Sequence, residues 1–105
     1  MLNSCNHLHA VNRLTVVGNR RLLRRLQNSD WLSVFAGRHA ELLELPPTRF
    51  VCSFETATDP LPALQRLSQS HPELVFLLDF ELMPARIKGL AKAKAGKLEH
   101  CEIGY

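Results

Sequence analysis

The sequence has few cysteines and lacks a long apolar run. Its three cysteines among 105 residues include no Cys-x-x-Cys pair, so neither a disulfide framework nor a standard zinc motif is indicated. No stretch of 18 apolar residues occurs, and no charged start leads into an apolar segment with a small-residue cleavage site. We therefore expect a cytoplasmic protein with no membrane span and no secretory signal.

Motifs of catalysis are also missing. The chain has no phosphate-cradling Gly-rich loop, no Gly-x-Ser-x-Gly and no HExxH, so we expect no cofactor. Cys52 lies in a predicted strand, on the same side as Phe50 and Phe54, as a small core residue would. One alternative stays open, a small enzyme that uses carboxylates for acid and base chemistry on a sheet face. Its candidate residues are Glu55, Asp79 and Glu81.

What is present is the composition of an ordinary folded protein. Hydrophobic residues make up 46% of the chain and charged residues 22%, which fits one domain over residues 1–105 with residues 1–11 as an N-terminal tail. The net charge is +3, and the first half of the chain is the more basic half. This charge is modest for a dedicated DNA-binding domain.

The stretch "NRLTVVGNRRLLRRLQN" predicts a strand followed by an amphipathic helix. The strand runs over the β-branched residues 14–17 and ends at Gly18, and Asn19 can cap the helix. The leucines of the helix share one face, which leaves four arginines on the outside. Those arginines are Arg20, Arg21, Arg24 and Arg25.

The middle of the chain predicts a turn, two strands and a helix. Residues 31–37 read as a turn and residues 40–45 as a weak strand that Pro46 and Pro47 end. "RFVCSFETAT" alternates, which indicates a strand with one buried face. Asp59 and Pro60 then start the helix "LPALQRLSQS", which stops at residues 71–72.

The last third of the chain predicts only strands. "ELVFLLDFEL" alternates with Phe76, Leu78, Phe80 and Leu82 on one face. The residues after Pro84 favour two short strands around Ala95 and Gly96, with a frayed helix as the alternative. The order strand, helix, strand, strand, helix, strand predicts an α+β ferredoxin-like sandwich. Two helices would cover one face of an antiparallel sheet that carries an extra C-terminal hairpin.

Several segments resemble the YubB-like ferredoxin-fold family of uncharacterised bacterial, plasmid and phage proteins. "NRLTVVG" matches the family's opening Asn-x-Leu-x-Val-x-Gly strand, "FETATDPLPALQRLSQSHPELVF" its strand, proline turn, helix and strand, and "IKG" the start of its last hairpin. The chain departs from the family at Thr58, where a tryptophan is usual, and at "GRHAELLEL", which replaces a tryptophan-rich strand. The resemblance implies the fold and a bacterial origin but no activity.

The predicted open face of the sheet carries the leading functional hypothesis. In the usual 4-1-3-2 strand order, the valines and leucine of three neighbouring strands would form one apolar patch, and monomers rarely expose such patches. The N-terminal tail, the C-terminal hairpin or another copy of the chain could cover it. We expect a non-enzymatic interaction module that binds a protein partner or itself as a homodimer, through Val17, Val51, Val75 and Leu77.

Nonspecific nucleic-acid binding through helix 19–28 is the alternative function. Its four arginines could contact phosphates, although a charged outer face also serves solubility. The phenylalanines of the strands fall on the helix-covered side, so we expect no aromatic platform for base stacking.

A metal site is the weakest of the candidates. "CNHLH" places Cys5, His7 and His9 at alternate positions, so an extended chain would project them to one side, and His100 with Cys101 could supply a fourth ligand. Adjacent residues of a strand point to opposite faces, however. A surface tail is the plainer interpretation of this segment.

Overall fold

The computed structural model describes residues 9–105. In this part of the chain three helices and six strands follow one another. They are β1 (His9–Val17), α1 (Arg20–Gln27), α2 (Trp31–Phe35), β2 (Arg38–Glu44), β3 (Phe50–Thr56), α3 (Leu61–Ser70), β4 (Val75–Met83), β5 (Ile87–Lys94) and β6 (Lys97–Gly104).

The six strands form one antiparallel sheet. Their order is β2-β3-β1-β4-β5-β6, and every neighbouring pair is antiparallel. The predicted α+β class is therefore confirmed. The hairpin predicted around Ala95 and Gly96 is also confirmed, as β5 and β6, and it extends the sheet beyond β4.

The hydrophobic core lies on the helix side of the sheet. Alternate residues of β1, β3 and β4 are buried there, including Leu14, Phe50 and Phe76, all with no exposed surface. Trp31 packs edge-on against Phe50 and Phe54, with ring centroids 5.3 and 5.5 Å apart. As predicted, the phenylalanines of the strands all face the helices.

Asn12 is a polar residue within this core. Its Nδ2 donates to the Phe54 carbonyl and to Thr56 Oγ1, at 3.3 and 3.2 Å, which ties β1 to β3. Its Oδ1 accepts no hydrogen bond. An unpaired buried acceptor costs free energy, so Asn12 adds little to the free energy of unfolding. Its bonds to Phe54 and Thr56 need the observed alignment of β1 with β3, so Asn12 favours this strand register.

The helix α1 begins as the sequence predicts. Asn19 Oδ1 accepts a hydrogen bond from the Arg21 backbone N–H at 2.8 Å, and Leu23 and Leu26 are buried. The four arginines of α1 are exposed.

Two segments differ from the predictions. Residues 31–35 form the short helix α2 rather than a turn, because one helical turn buries both Trp31 and Phe35 against β3. The strand β1 already begins at His9, inside the range assigned to the tail, because the alternation of buried residues extends back to Ala10. Helical burial of two aromatic rings is a tertiary effect, so the local pattern alone did not reveal it.

The turn between β5 and β6 is fixed on α3. Ala95 and Gly96 have φ of 53° and 84°, as a two-residue type I′ turn requires. The Gly96 N–H donates to Ser68 Oγ at 2.9 Å, and Gln65 Nε2 donates to the Gly96 carbonyl at 2.9 Å. These two hydrogen bonds hold the β5–β6 hairpin in the plane of the sheet. They thereby fix the position of the hairpin's part of the open sheet face.

Ala95→Asn is expected to stabilise the protein. An alanine in the left-handed region costs about 1–2 kcal/mol, and asparagine tolerates this conformation better. We expect the free energy of unfolding in urea to rise by roughly 0.5–1 kcal/mol. Gly96→Ala is the opposing control, because its Cβ would lie 2.6 Å from Gln69 Cγ. A less stable Ala95→Asn variant would contradict the assigned turn.

Candidate interaction surface on the open sheet face

The pairing of β1 on both sides determines which residues share the open face. Val11 is opposite Glu55 on β3 and Glu81 on β4. Two residues further on, Arg13 is opposite Ser53 and Asp79, and the next row places Thr15 between Val51 and Leu77. Side chains of β1 that alternate with the buried core residues therefore line the middle of the open face.

An apolar stripe crosses this face diagonally. Val17 is opposite Val75, and Leu77 lies two residues along β4. Leu77 is opposite Lys92, Leu90 lies two residues before Lys92, and Leu90 is opposite Cys101, two residues before Ile103. Each member of the apolar stripe therefore lies on the next strand of the sheet, two residues along from the position directly opposite the preceding member. Its members and their exposures are Val17 41%, Leu77 40%, Leu90 58% and Ile103 69%.

Leu90 stands between two shallow depressions. One, of about 430 Å³, is lined by Val11, Arg13, Glu81, Lys88 and Ile103, and the other, of about 520 Å³, by Thr15, Leu77, Lys92 and Glu99. Asp79, Leu90 and Cys101 line both. The surface therefore presents a projecting apolar side chain beside hollows that could receive one.

Charges of both signs border the apolar stripe. In residues 9–105 one ion pair lies within 4.0 Å, Glu44 with Arg49, and two histidines contact carboxylates at this range, His39 with Glu55 and His100 with Glu102. The Arg, Lys, Asp and Glu residues that line the two depressions take part in none of these contacts. These are Arg13, Asp79, Glu81, Lys88, Lys92 and Glu99.

Three of the four predicted contact residues are accessible on this face. Val17 and Leu77 are exposed and Val75 is half-buried, whereas Val51 is 2% exposed. Val51 is not part of the core under the helices; its cross-strand neighbours are Thr15 on β1 and Glu44 on β2. It is thus closed to a partner. The sequence did not predict the two most exposed members of the stripe, Leu90 and Ile103. The side of the sheet on which they lie depends on the register of the β5–β6 hairpin.

The three candidate carboxylates share the open face but do not form an enclosed site. Glu55 and Glu81 flank Val11, and Asp79 lies two residues before Glu81 on β4, opposite Arg13. Glu55 Oε1 is 3.3 Å from His39 Nδ1. Asp79 is exposed, and Glu55 and Glu81 are half-buried.

The candidate nucleic-acid residues lie on α1. Arg24 and Arg25 occupy its last turn, where positive charge stabilises the helix, but Arg20 and Arg21 occupy its first turn, which has no acidic residue. Nearby, burial and the positive charge of Arg25 lower the pKa of His71. The positive surface is therefore supplied by arginines rather than by this histidine.

The candidate metal ligands are not brought together in the described part of the chain. Cys5 and His7 lie outside it, and His9 starts β1. His100 is opposite Ala91, on the helix side, whereas Cys101 is opposite Leu90, on the open face. Among residues 9–105 no group of three His, Cys, Asp or Glu side chains could hold a metal ion.

Comparison with family models, curated proteins and solved structures finds no match to this chain. The geometry of its own residues is therefore the basis for a functional argument. Within residues 9–105, no helix has the length and apolar character needed to cross a membrane.

The two described cysteines are expected to differ in reactivity. Cys101 is exposed, while Cys52 is buried, and this burial raises the pKa of the Cys52 thiol. Because the thiolate is the reactive form, Cys52 should react with a thiol reagent at least about tenfold more slowly. Ellman's reagent on a Cys5→Ser variant should thus give two phases, which merge in urea. Equal rates in the folded protein would contradict the buried position of Cys52.

Proposed function

We propose that the protein is a non-enzymatic interaction module that self-associates through its open sheet face. The apolar stripe is the observation that carries this proposal. Its four side chains are all at least 40% exposed and adjoin one another across four strands. Contiguous apolar patches of this kind are typical of interaction sites in soluble proteins.

The expected association is weak. Full burial of a Val, Leu or Ile side chain contributes about 1.5–3 kcal/mol, so two half-exposed stripes contribute roughly 6–12 kcal/mol. Association itself costs about 4–15 kcal/mol in lost freedom of motion. The two magnitudes are similar, so the dimer should form only at high protein concentration.

A second copy is the partner that this surface fits. In a two-fold interface the same patch faces itself, so projections need matching hollows and charges need both signs within one patch. Leu90 and the two depressions beside it provide a projection with matching hollows. The unpaired cationic and anionic groups around the stripe provide both signs of charge. A patch of one charge sign would have opposed such pairing.

Membership of the YubB-like ferredoxin-fold family is part of the same proposal. The residues of β1, α3 and β5 that resemble the family support it. So does the order β2-β3-β1-β4 of four strands, which is the 4-1-3-2 order read from the other edge. The strands β5 and β6 are then an addition to the ferredoxin-like unit.

Leu90→Lys is expected to weaken self-association. The variant places a charge in the centre of the stripe without touching the core, so the folded monomer should persist. We expect the dimerisation constant measured by sedimentation equilibrium to weaken at least about tenfold.

Leu42→Lys is the matched control, because Leu42 on β2 is a leucine of similar exposure, 51%, outside the stripe. It should leave the dimerisation constant unchanged. A wild-type protein that stays monomeric at millimolar concentration, or equal effects of the two variants, would refute the proposed dimer.

Nucleic-acid binding through α1 is the second candidate, and the position of two arginines favours it. Arg20 and Arg21 lie in the first turn, where positive charge opposes the helix dipole at a cost of about 0.3–1 kcal/mol each. Residues that act against local stability are found mostly at functional sites. Phosphate groups bound there would meet both guanidinium groups and the positive end of the helix.

Titration of labelled single- and double-stranded DNA and RNA at 50 and 200 mM salt tests this candidate. A double Arg20→Gln, Arg21→Gln variant should bind more weakly and show a smaller salt dependence than the wild type. A double Lys88→Gln, Lys92→Gln variant removes the same charge from the open face and should bind nearly as well. Absence of binding at low salt, or equal losses in both variants, would eliminate this function.

A further inference from the structure

The two edges of the sheet differ in how they are protected. At one edge, β2 pairs irregularly with β3, contains His39 at a φ of 56° and is followed by Pro46 and Pro47. At the other, β6 pairs with β5 over its whole length without a bulge and contains no proline. Irregular pairing and proline oppose edge-to-edge association, so of the two edges that residues 9–105 form, the β6 edge is the one open to another strand.

The hydrogen bonding of β6 defines which backbone groups face outward. The Tyr105 N–H donates to the Arg86 carbonyl at 2.9 Å, so this pair is hydrogen-bonded. Such pairs recur at every second position of an antiparallel ladder, which directs the N–H and C=O groups of Cys101 towards Leu90. The residues between them direct their N–H and C=O groups away from β5. Those residues are Leu98, His100, Glu102 and Gly104.

We propose that β6 pairs in antiparallel fashion with β6 of a second copy, with the two-fold axis at Cys101, to form a twelve-stranded sheet. In this register His100 of each copy is opposite Glu102 of the other, and these are hydrogen-bonded pairs. Leu98 is opposite Gly104, which leaves room for the leucine. The two Cys101 side chains are opposite each other on the open face.

The charges of β6 favour this register over the two that centre on a glutamate. A two-fold axis that keeps both open faces on one side must pass through a residue position. Centring it on Glu99 or Glu102 would place two carboxylates opposite each other, whereas the axis at Cys101 places Glu102 opposite His100 and Glu99 opposite Ile103. Like charges directly opposite each other destabilise a strand pair, and a histidine opposite a carboxylate avoids that repulsion. His100 Nε2 lies 3.7 Å from Glu102 Oε2 within one strand, on the helix side of the sheet, and both residues are exposed.

This contact is separate from self-association through the open face. The edge axis is perpendicular to the sheet, so the apolar stripes of both copies remain uncovered on the same side. Face-to-face packing of two such sheets would then add a second contact. Each contact can therefore be removed without the other.

Glu102→Pro tests the edge contact. The Glu102 N–H points away from β5, so proline removes an outward donor and blocks the edge while the β5–β6 ladder stays intact. Glu102→Ala is the matched control, since it removes the carboxylate but keeps the backbone donor. We expect sedimentation equilibrium to show at least a tenfold weaker edge contact for Glu102→Pro and a smaller loss for Glu102→Ala, with unchanged circular dichroism spectra.

Disulfide cross-linking of Cys101 reports on the register itself. In a Cys5→Ser background, which leaves Cys52 buried and Cys101 exposed, a copper–phenanthroline oxidant should give a covalent dimer. The dimer should persist in a Leu90→Lys variant and disappear in Cys101→Ser and Glu102→Pro variants.

The outcomes separate the two contacts. Cross-linking that survives Glu102→Pro, or that disappears only with Leu90→Lys, would overturn the edge contact and leave open-face association standing. If Glu102→Pro weakens association and Leu90→Lys leaves it unchanged, the open-face proposal is refuted and the edge contact is supported.

Discussion

The pairing of β1 with a strand on each side is the constraint on which the rest of the structure depends. Side chains alternate along a strand, so a shift of one residue in β1 would exchange the core with the open face. Burial of Leu14 and Val16 against the helices fixes this choice, and Asn12 adds a register-specific hydrogen bond to β3. That register places Val17 and Leu77 of the apolar stripe on the open face, and the pairing of β5 and β6 adds Leu90 and Ile103.

Helices cover only one side of the sheet, and this asymmetry gives the open face its chemistry. Trp31 and the phenylalanines lie under the helices, where they stabilise the core, whereas Tyr105 is half exposed and its ring packs against Arg86 and Lys88. The side chains of the apolar stripe are aliphatic: Val17, Leu77, Leu90 and Ile103. Aliphatic side chains bind by non-directional burial, which suits a protein surface better than a small polar ligand.

Strong local patterns made much of the fold predictable. The alternation in β3 and β4 and the cap at Asn19 depend on neighbouring residues, and the structure contains all three. The apolar stripe could not be predicted from local patterns alone, because Leu90 and Ile103 join it only through the pairing of β5 and β6. The burial of Val51 and the helix at Trp31 depend on tertiary packing, which no local pattern records.

The most direct test of open-face association is the change of methyl chemical shifts on dilution of the labelled protein. If the apolar stripe forms the contact, the methyl signals of Leu77, Leu90 and Ile103 will shift together between millimolar and micromolar protein. The signals of Leu42 and Leu43, exposed on β2, will remain constant. Stripe signals that do not change with concentration would contradict the account.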